Sequence, residues 1–265
     1  MPELPEVETV TNALRPHLVG RCITNVEAHT AQLRTPVVIH QHPAICGATI
    51  IAVRRRAKYM LVELDRCLVI LVHLGMTGSC RIVTASSSPA KHEHIVVYLD
   101  DGMTWRYRDP RRFGMFEVHL IDKEGVIPEC LTGFGPEPLA AEFTAKYLRN
   151  VCRQRQKPIK NLVMDNACVV GVGNIYASES LYRARIHPGT PAARLSAARC
   201  ERLVTAVRQV LQDAIDAGGT TISDFQTVDG SEGKFSRHLD VYDRAGEPCH
   251  ACSRDIRRVV MAGRS

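Results

Sequence analysis

The chain opens Met1-Pro2-Glu3-Leu4-Pro5-Glu6-Val7-Glu8, and the rest of the molecule is read outward from these residues. Proline in a first turn with acids at Glu3, Glu6 and Glu8 is how a helix begins. Proline brings the helical φ to a place where its missing N–H is no loss, and carboxylates complement the positive end of the helix dipole. Val7, Val10, Leu14 and Leu18 continue as one apolar stripe. Pro16 is expected to kink or end this helix, and Gly20 to stop it. The same residues also have a chemical reading. Initiator methionine is usually trimmed before a small residue, which would leave Pro2 as a secondary amine. An α-amino group with a pKa of about 8 is partly unprotonated near neutral pH. It can attack an electrophilic carbon and hold the product as an imine, with Glu3 beside it as a proton carrier. Both readings fit these residues, and the choice between them lies further along the chain.

At 265 residues the chain has room for two modest domains. With 45% hydrophobic and 23% charged residues it has the balance of a soluble globular protein. It contains no apolar run of the ~18 residues that a membrane span needs and no basic-then-apolar secretory layout. The expectation is a soluble, non-exported, cytoplasmic protein. A net charge of +6 is a moderate push towards polyanions. The local runs say more: Arg54-Arg55-Arg56-Ala57-Lys58, Arg106 to Arg112, and Arg153 to Lys160 suit either solvated faces or a phosphate-binding surface. Of ten cysteines, only Cys249 and Cys252 form a C-x-x-C pair. The other eight are scattered, several within apolar runs where a reduced buried thiol is the simple account. With no export signal, the pair reads as half a metal site before it reads as a redox couple.

After the first helix the period changes to that of strands, at about 22–29, 48–55, 59–64, 67–73, 79–83, 94–99, 103–108 and 114–120. Asp100-Asp101-Gly102 between two alternating runs is a hairpin signature. Eight such strands imply an antiparallel sandwich or barrel. Ser86-Ser87-Ser88-Pro89 reads as a flexible loop. The glycines and prolines of Leu131 to Pro138 mark a linker. Beyond it, helical periodicity dominates at about 140–152, 158–165, 174–184 and 196–217. Gly218 to Gly233 is polar and glycine-bearing, as a mobile loop would be. The tail from about 238 alternates again and carries the cysteine pair.

Two motifs suit nucleic acid. Gly171-Val172-Gly173-Asn174-Ile175-Tyr176-Ala177 lacks the third glycine and the βαβ setting of a dinucleotide site. It reads either as a plain turn and cap, or as a helix N-terminus whose amides and Asn174 side chain receive a phosphate. Asp109-Pro110-Arg111-Arg112-Phe113-Gly114 has the form of an interstrand loop. Phe113 there can wedge between bases while Arg111 satisfies base edges, or it can simply tuck into the core. Met76, within His73-Leu74-Gly75-Met76-Thr77-Gly78, has the same two readings.

Taken together and in order, Pro2 to Glu8, Arg56-Ala57-Lys58-Tyr59, His73 to Met76, Asp109 to Gly114 and Gly171 to Glu179 resemble the bacterial formamidopyrimidine-DNA glycosylases, from residue 2 to the C-terminus. Leu4 separates the chain from the sister endonuclease VIII group, which usually has glycine there. The resemblance implies an α+β multi-domain protein. Residues 1–130 would form a catalytic eight-stranded antiparallel β-sandwich with an N-terminal helix, and 131–139 a linker. Residues 140–237 would form a helix–two-turn–helix DNA-binding domain, and 238–265 a β-hairpin zinc finger. It further implies a monomeric base-excision-repair enzyme acting on double-stranded DNA that contains oxidised purines. Pro2 would attack C1′ to give a Schiff base, Glu3 would donate a proton and Glu6 would support it. Lys58 would assist β-elimination and Arg264 δ-elimination. Met76, Arg111 and Phe113 would fill the gap left by the extruded nucleotide. His92, Lys160 (or its neighbour Lys157) and Asn174 would hold phosphates, and the Gly218–Gly233 segment would cover the flipped base.

The sequence departs from the family at the finger. A structural zinc site needs four ligands, and Cys249-His250-Ala251-Cys252 supplies two cysteines with no second pair after Arg264. Either the native chain extends past Ser265 or the finger is incomplete, and the Arg264 assignment depends on which. Two rival functions remain open at this level: a damaged-DNA-binding protein that does not use Pro2 for catalysis, and a glycosylase preferring oxidised pyrimidines.

Overall fold

The structure, a computed structural model, describes residues 1–122, 127–219 and 239–265. These fall into two compact units. The first runs to Thr132 and also takes Gly218 and Gly219; the second runs from Gly133 to Ala217 and takes the tail.

The first unit opens with α1 (Leu4–Leu18). Its stripe of Val7, Val10, Leu14 and Leu18 is 0–2% exposed and enters the same core as the strands. Pro16 does not end the helix. It lies in the last turn, where little remains of the ladder it interrupts, and the Val19 N–H still closes on the Arg15 carbonyl. Gly20, at φ 84°, then turns the chain away.

All eight expected strands are present: β1 (Ile23–Ala28), β2 (Ile50–Arg56), β3 (Tyr59–Leu64), β4 (Leu68–His73), β5 (Ser79–Thr84), β6 (Glu93–Leu99), β7 (Met103–Arg108) and β8 (Met115–Leu120). They form two antiparallel sheets, ordered β1-β6-β7-β5 and β2-β3-β4-β8. Alternation fixes which side chains face inward. Met60, Val62 and Leu64 of β3, Ile70 and Val72 of β4, Ile95 and Val97 of β6, and Trp105 and Tyr107 of β7 share one core with Phe116. Trp105 and Tyr107 meet the Phe116 ring at centroid distances of 5.0 and 5.6 Å. The β6–β7 hairpin turns at Gly102, which adopts φ 79°.

In the second unit, α2 (Ala145–Cys152) begins five residues later than periodicity suggests. The carbonyls of Pro138, Ala140 and Phe143 go instead to the guanidinium of Arg208, and Thr144 caps the helix by accepting from the Tyr147 N–H. There follow α3 (Ile159–Val163), α4 (Asn174–Arg183) and α5 (Ala197–Asp216), the last capped by Ser196. The tail does not form the expected regular β-hairpin among the described residues. It has isolated bridges at Pro248–Asp255 and Met261–Arg264, with a tight turn at 249–254 closed by the Cys249 N–H to the Arg254 carbonyl at 2.8 Å.

Because Leu14 is fully buried on the α1 stripe, Leu14→Ala is expected to lower the first unit's unfolding free energy by about 2–5 kcal/mol. Urea unfolding followed by tryptophan fluorescence measures this, since the single Trp105 lies in that core.

Candidate active site and nucleic-acid interface

The start of the chain is held by a capping box. Glu3 is the N-cap of α1; its carboxylate receives the Glu6 N–H while its own N–H donates to Glu6 Oε2 at 2.8 Å. Both carboxylates are buried, at 3% and 0% exposure, and Pro2 is buried beside them. With Met1 in place the terminal amine is pushed below its ordinary pKa of 8.0. Burial is the main cause, Glu3 and Glu6 oppose it, and Lys58 and Arg111 add to it. Two carboxylates and two cations of the first unit therefore act on the chain terminus. Lys58 sits in the β2–β3 turn, where Ala57 takes the left-handed conformation (φ 56°) and Arg56 pairs with Tyr59. Gly219, at the start of the Gly218–Gly233 loop, comes against the Glu6 side chain, where an added Cβ would sit 3.3 Å away. The rest of that loop, with its expected covering role, lies outside the described residues.

Met76, Arg111 and Phe113 lie on two exposed loops of the same unit. Met76 and Phe113 are 38% and 48% exposed, and Arg111 is exposed with its guanidinium 4.8 Å from the Phe113 ring centroid. Phe113 is therefore not a core residue. The two loops that carry these side chains touch backbone to backbone. Gly75, at φ 63°, has no room for a Cβ, which would fall 2.5 Å from the Phe113 carbonyl carbon and the Gly114 nitrogen. His92, also at positive φ (69°), is half-buried on the approach to β6.

The basic runs prove largely structural. Arg54 pairs with Glu63, and Arg55 with Glu8 at 2.5 Å. Arg106, only 4% exposed, pairs with Glu93 at 3.1 Å and binds the carbonyls of Thr84, Ser87 and Ser88. Along β7, Arg106 faces a covered side, so this member of the charge run belongs to the fold.

In the second unit, Gly171 (φ 78°) makes the turn into α4, with Gly173 as N-cap and Asn174 as first helical residue. The Asn174 Oδ1 is buried with no hydrogen-bond partner among the described residues. Lys160 is buried, at 4% exposure, with Nζ on the Ser265 carbonyl at 2.5 Å. Lys157 is exposed and paired with Asp165 at 2.8 Å. Arg264 lines a cavity of about 250 Å³ together with Lys160 and Asn161.

Glu179, quoted in the sequence motif but given no role there, is a main support of the tail. Its fully buried carboxylate accepts the successive N–H groups of Asp240, Val241 and Tyr242 at 2.7–2.9 Å. Its donors lie about sixty residues away, so no local pattern announced it. Cys249 lies 3.3 Å from the Tyr182 hydroxyl, which with neighbouring backbone N–H groups lowers its thiol to about 7. Among the described residues no group of three or more His, Cys, Asp or Glu side chains is arranged to hold a metal. His250 faces Asp240 and Arg244. Two cysteines alone do not fit a four-cysteine zinc site.

Comparison with known proteins accords with these features. Residues 1–116 match the family profile described as formamidopyrimidine-DNA glycosylase N-terminal domain, and 134–226 that of its H2TH domain. A formamidopyrimidine-DNA glycosylase of Alkalilimnicola ehrlichii is 48% identical over 271 residues, covering 100% of this chain and 97% of that one. One from Legionella pneumophila is 42% identical over 264 residues, covering 100% and 95%. The chain belongs to the formamidopyrimidine-DNA glycosylase family. Among solved structures, a Lactococcus lactis Fpg variant bound to Fapy-dG-containing DNA superposes with TM-score 0.90 at 33% identity, covering 99% of this chain and 96% of that one. Thermus thermophilus MutM (Fpg) gives 0.84 at 36%, covering 99% and 95%. As in other members of the family, the two four-stranded sheets and the helices make up the fold of this glycosylase.

His73, below the Met76 loop, supplies a pH test. Its pKa is lowered to about 4 by burial, with Arg34 and Lys58 adding to the effect and Asp109 opposing it. Neutral Nδ1 accepts the Gly75 N–H at 2.9 Å, which the protonated ring cannot do. The unfolded chain, with an ordinary histidine, binds the proton more readily, so stability rises with pH through this window. Stability present above about pH 6.5 is expected to fall as pH drops towards 4, by about 3 kcal/mol from this group. Urea midpoints measured across that range should show a shallower slope in His73→Gln.

Proposed function

We propose that this glycosylase removes oxidised purines, 8-oxoguanine and formamidopyrimidines, from double-stranded DNA and then cuts the strand at the resulting abasic site. The observation that carries the reading is the start of the chain, with Pro2 buried and the terminal amine set among Glu3, Glu6 and Lys58. Its relatives bear the glycosylase name, and one solved neighbour is MutM in complex with DNA containing carbocyclic 8-oxo-G, at TM-score 0.89 and 34% identity.

Removal of Met1 frees the Pro2 nitrogen at this position. A terminal amine of ordinary pKa is partly unprotonated near neutral pH, and Pro2 is the nucleophile. Its nitrogen bonds to C1′ as the C1′–base bond breaks. The Pro2 nitrogen gives its own proton to the departing base, Glu3 protonates the sugar ring oxygen as the C1′–O4′ bond opens, and the opened sugar remains on Pro2 as an iminium. Glu6 acts by holding Glu3 and the terminus through the capping box. Lys58 assists loss of the 3′ phosphate by β-elimination, and Arg264 the δ-elimination that follows. No step uses a metal.

Flipping the damaged nucleotide costs a few kcal/mol. Met76, Arg111 and Phe113 offset this by occupying the vacated space, with Arg111 facing the opposite cytosine. His92, Asn174 at the α4 N-terminus, and Lys160 or Lys157 hold the phosphates. Residues 1–130 serve as the catalytic domain and 140–237 as the helix–two-turn–helix domain, acting as a single chain on DNA. Residues 238–265 stand where the family's finger stands.

Protein with Met1 removed is expected to release 8-oxoguanine opposite cytosine faster than thymine glycol by about an order of magnitude, equivalent to about 1.4 kcal/mol of transition-state discrimination. Protein that retains Met1, checked by intact mass, has an acylated Pro2 and is expected to bind the lesion duplex without cutting it. Equal cutting by the Met1-bearing form would refute the amine mechanism.

A further inference from the structure

The three exposed wedge side chains come from two loops far apart in sequence, and a buried hydrogen-bond cluster joins them. Asp109 is fully buried. Its Oδ1 accepts the Thr77 hydroxyl at 2.5 Å, and its Oδ2 accepts the Gly114 N–H at 2.8 Å and the Tyr107 hydroxyl at 3.3 Å. Its backbone carbonyl receives the Arg112 N–H at 3.2 Å and the His94 ring at 2.9 Å, and its N–H donates to the His92 carbonyl at 3.1 Å. Thr77 closes the circuit. Its hydroxyl gives its one proton to Asp109 and accepts the Arg111 N–H at 3.1 Å.

The cluster thus holds the backbone at or next to every wedge residue. Thr77 adjoins Met76, and its hydroxyl fixes the backbone of Arg111. Gly114, fixed by Asp109, adjoins Phe113. The glycines fit the same purpose: a Cβ on Gly114 would strike the Tyr107 hydroxyl at 1.7 Å, and one on Gly78 would meet the Leu74 carbonyl at 2.3 Å. Only backbone fits between the two loops and the Asp109–Tyr107 pair.

We propose that Asp109 and Thr77 are positioning residues that hold Met76, Arg111 and Phe113 as one preassembled wedge, so that insertion into DNA requires no loop ordering at the moment of flipping. An ordered wedge loses less freedom on insertion than two separate loops would. Neither residue touches the reacting atoms. The inference rests on the wedge role given above.

The test compares Thr77→Val, Thr77→Ser and Asp109→Asn with the unmutated protein in two assays. One is single-turnover excision of 8-oxoguanine from a duplex carrying 2-aminopurine next to the lesion, whose fluorescence reports unstacking. The other is strand cleavage at a preformed abasic site, where no base has to be extruded. Valine keeps the shape of threonine but removes the hydroxyl that joins the loops; serine restores it. Thr77→Val and Asp109→Asn are expected to slow both the fluorescence rise and excision by about tenfold or more, with abasic-site cleavage within about threefold of the unmutated protein and Thr77→Ser close to it in both assays. The proposal is overturned if Thr77→Val inserts and excises normally, if Thr77→Ser fails as badly as valine, or if both activities fall together in step with a loss of thermal stability. If the unmutated protein produces the fluorescence rise but leaves the base in place, the glycosylase reading fails while the fluorescence comparison still decides the wedge.

Discussion

The structure depends on the reciprocal bond between Glu3 and Glu6. A chain terminus is ordinarily the least ordered part of a domain, and catalysis by a terminal amine requires it to be among the most ordered. The capping box resolves this by making the first residues the cap of α1, whose Val7, Val10, Leu14 and Leu18 stripe is locked into the sandwich core. The place of Pro2 is thereby set by the packing of the whole first unit, and the two carboxylates that build the cap lie beside it. The helical reading of the opening residues holds, and the chemical role proposed for Pro2 rests on it.

The first unit separates its duties by face and by loop. The strands build a core of Trp105, Tyr107 and Phe116, and the turns between them carry the residues proposed to act on DNA: Lys58 in the β2–β3 turn, Met76 after β4, and Arg111 and Phe113 after β7. A rigid core with short turns suits a reaction in which a cation, a hydrophobic wedge and an amine must keep fixed relative places. In the second unit Glu179 performs a comparable service for the tail, replacing regular strand pairing with one buried carboxylate that receives three consecutive amides.

Much of this was legible in the sequence because its signals are local. Short β-like runs set between turn signals located all eight strands, and a 3.6-residue period located the α1 stripe. What was not legible depends on partners distant in sequence. Nothing near residue 140 foretells that Arg208 will take the carbonyls that would otherwise have started α2 earlier. Arg106 looks like one more cation of a basic run until β6 brings Glu93 to it. Asp109 and Glu179 sat inside recognised motifs without roles, since the value of a buried carboxylate lies in the donors folding brings to it. The resemblance implied a hairpin in the tail, yet two bridges and a turn are all that the described residues form.

The central claim is that the terminal proline nitrogen bonds to the sugar of the damaged nucleotide. The most direct measurement is borohydride reduction of Met1-free protein mixed with an 8-oxoguanine duplex, followed by peptide mapping of the cross-linked product. The account predicts a covalent complex whose DNA-derived mass lies on the peptide beginning at Pro2. A cross-link mapping to Lys58 or another lysine, or no cross-link from protein that has excised the base, would contradict it.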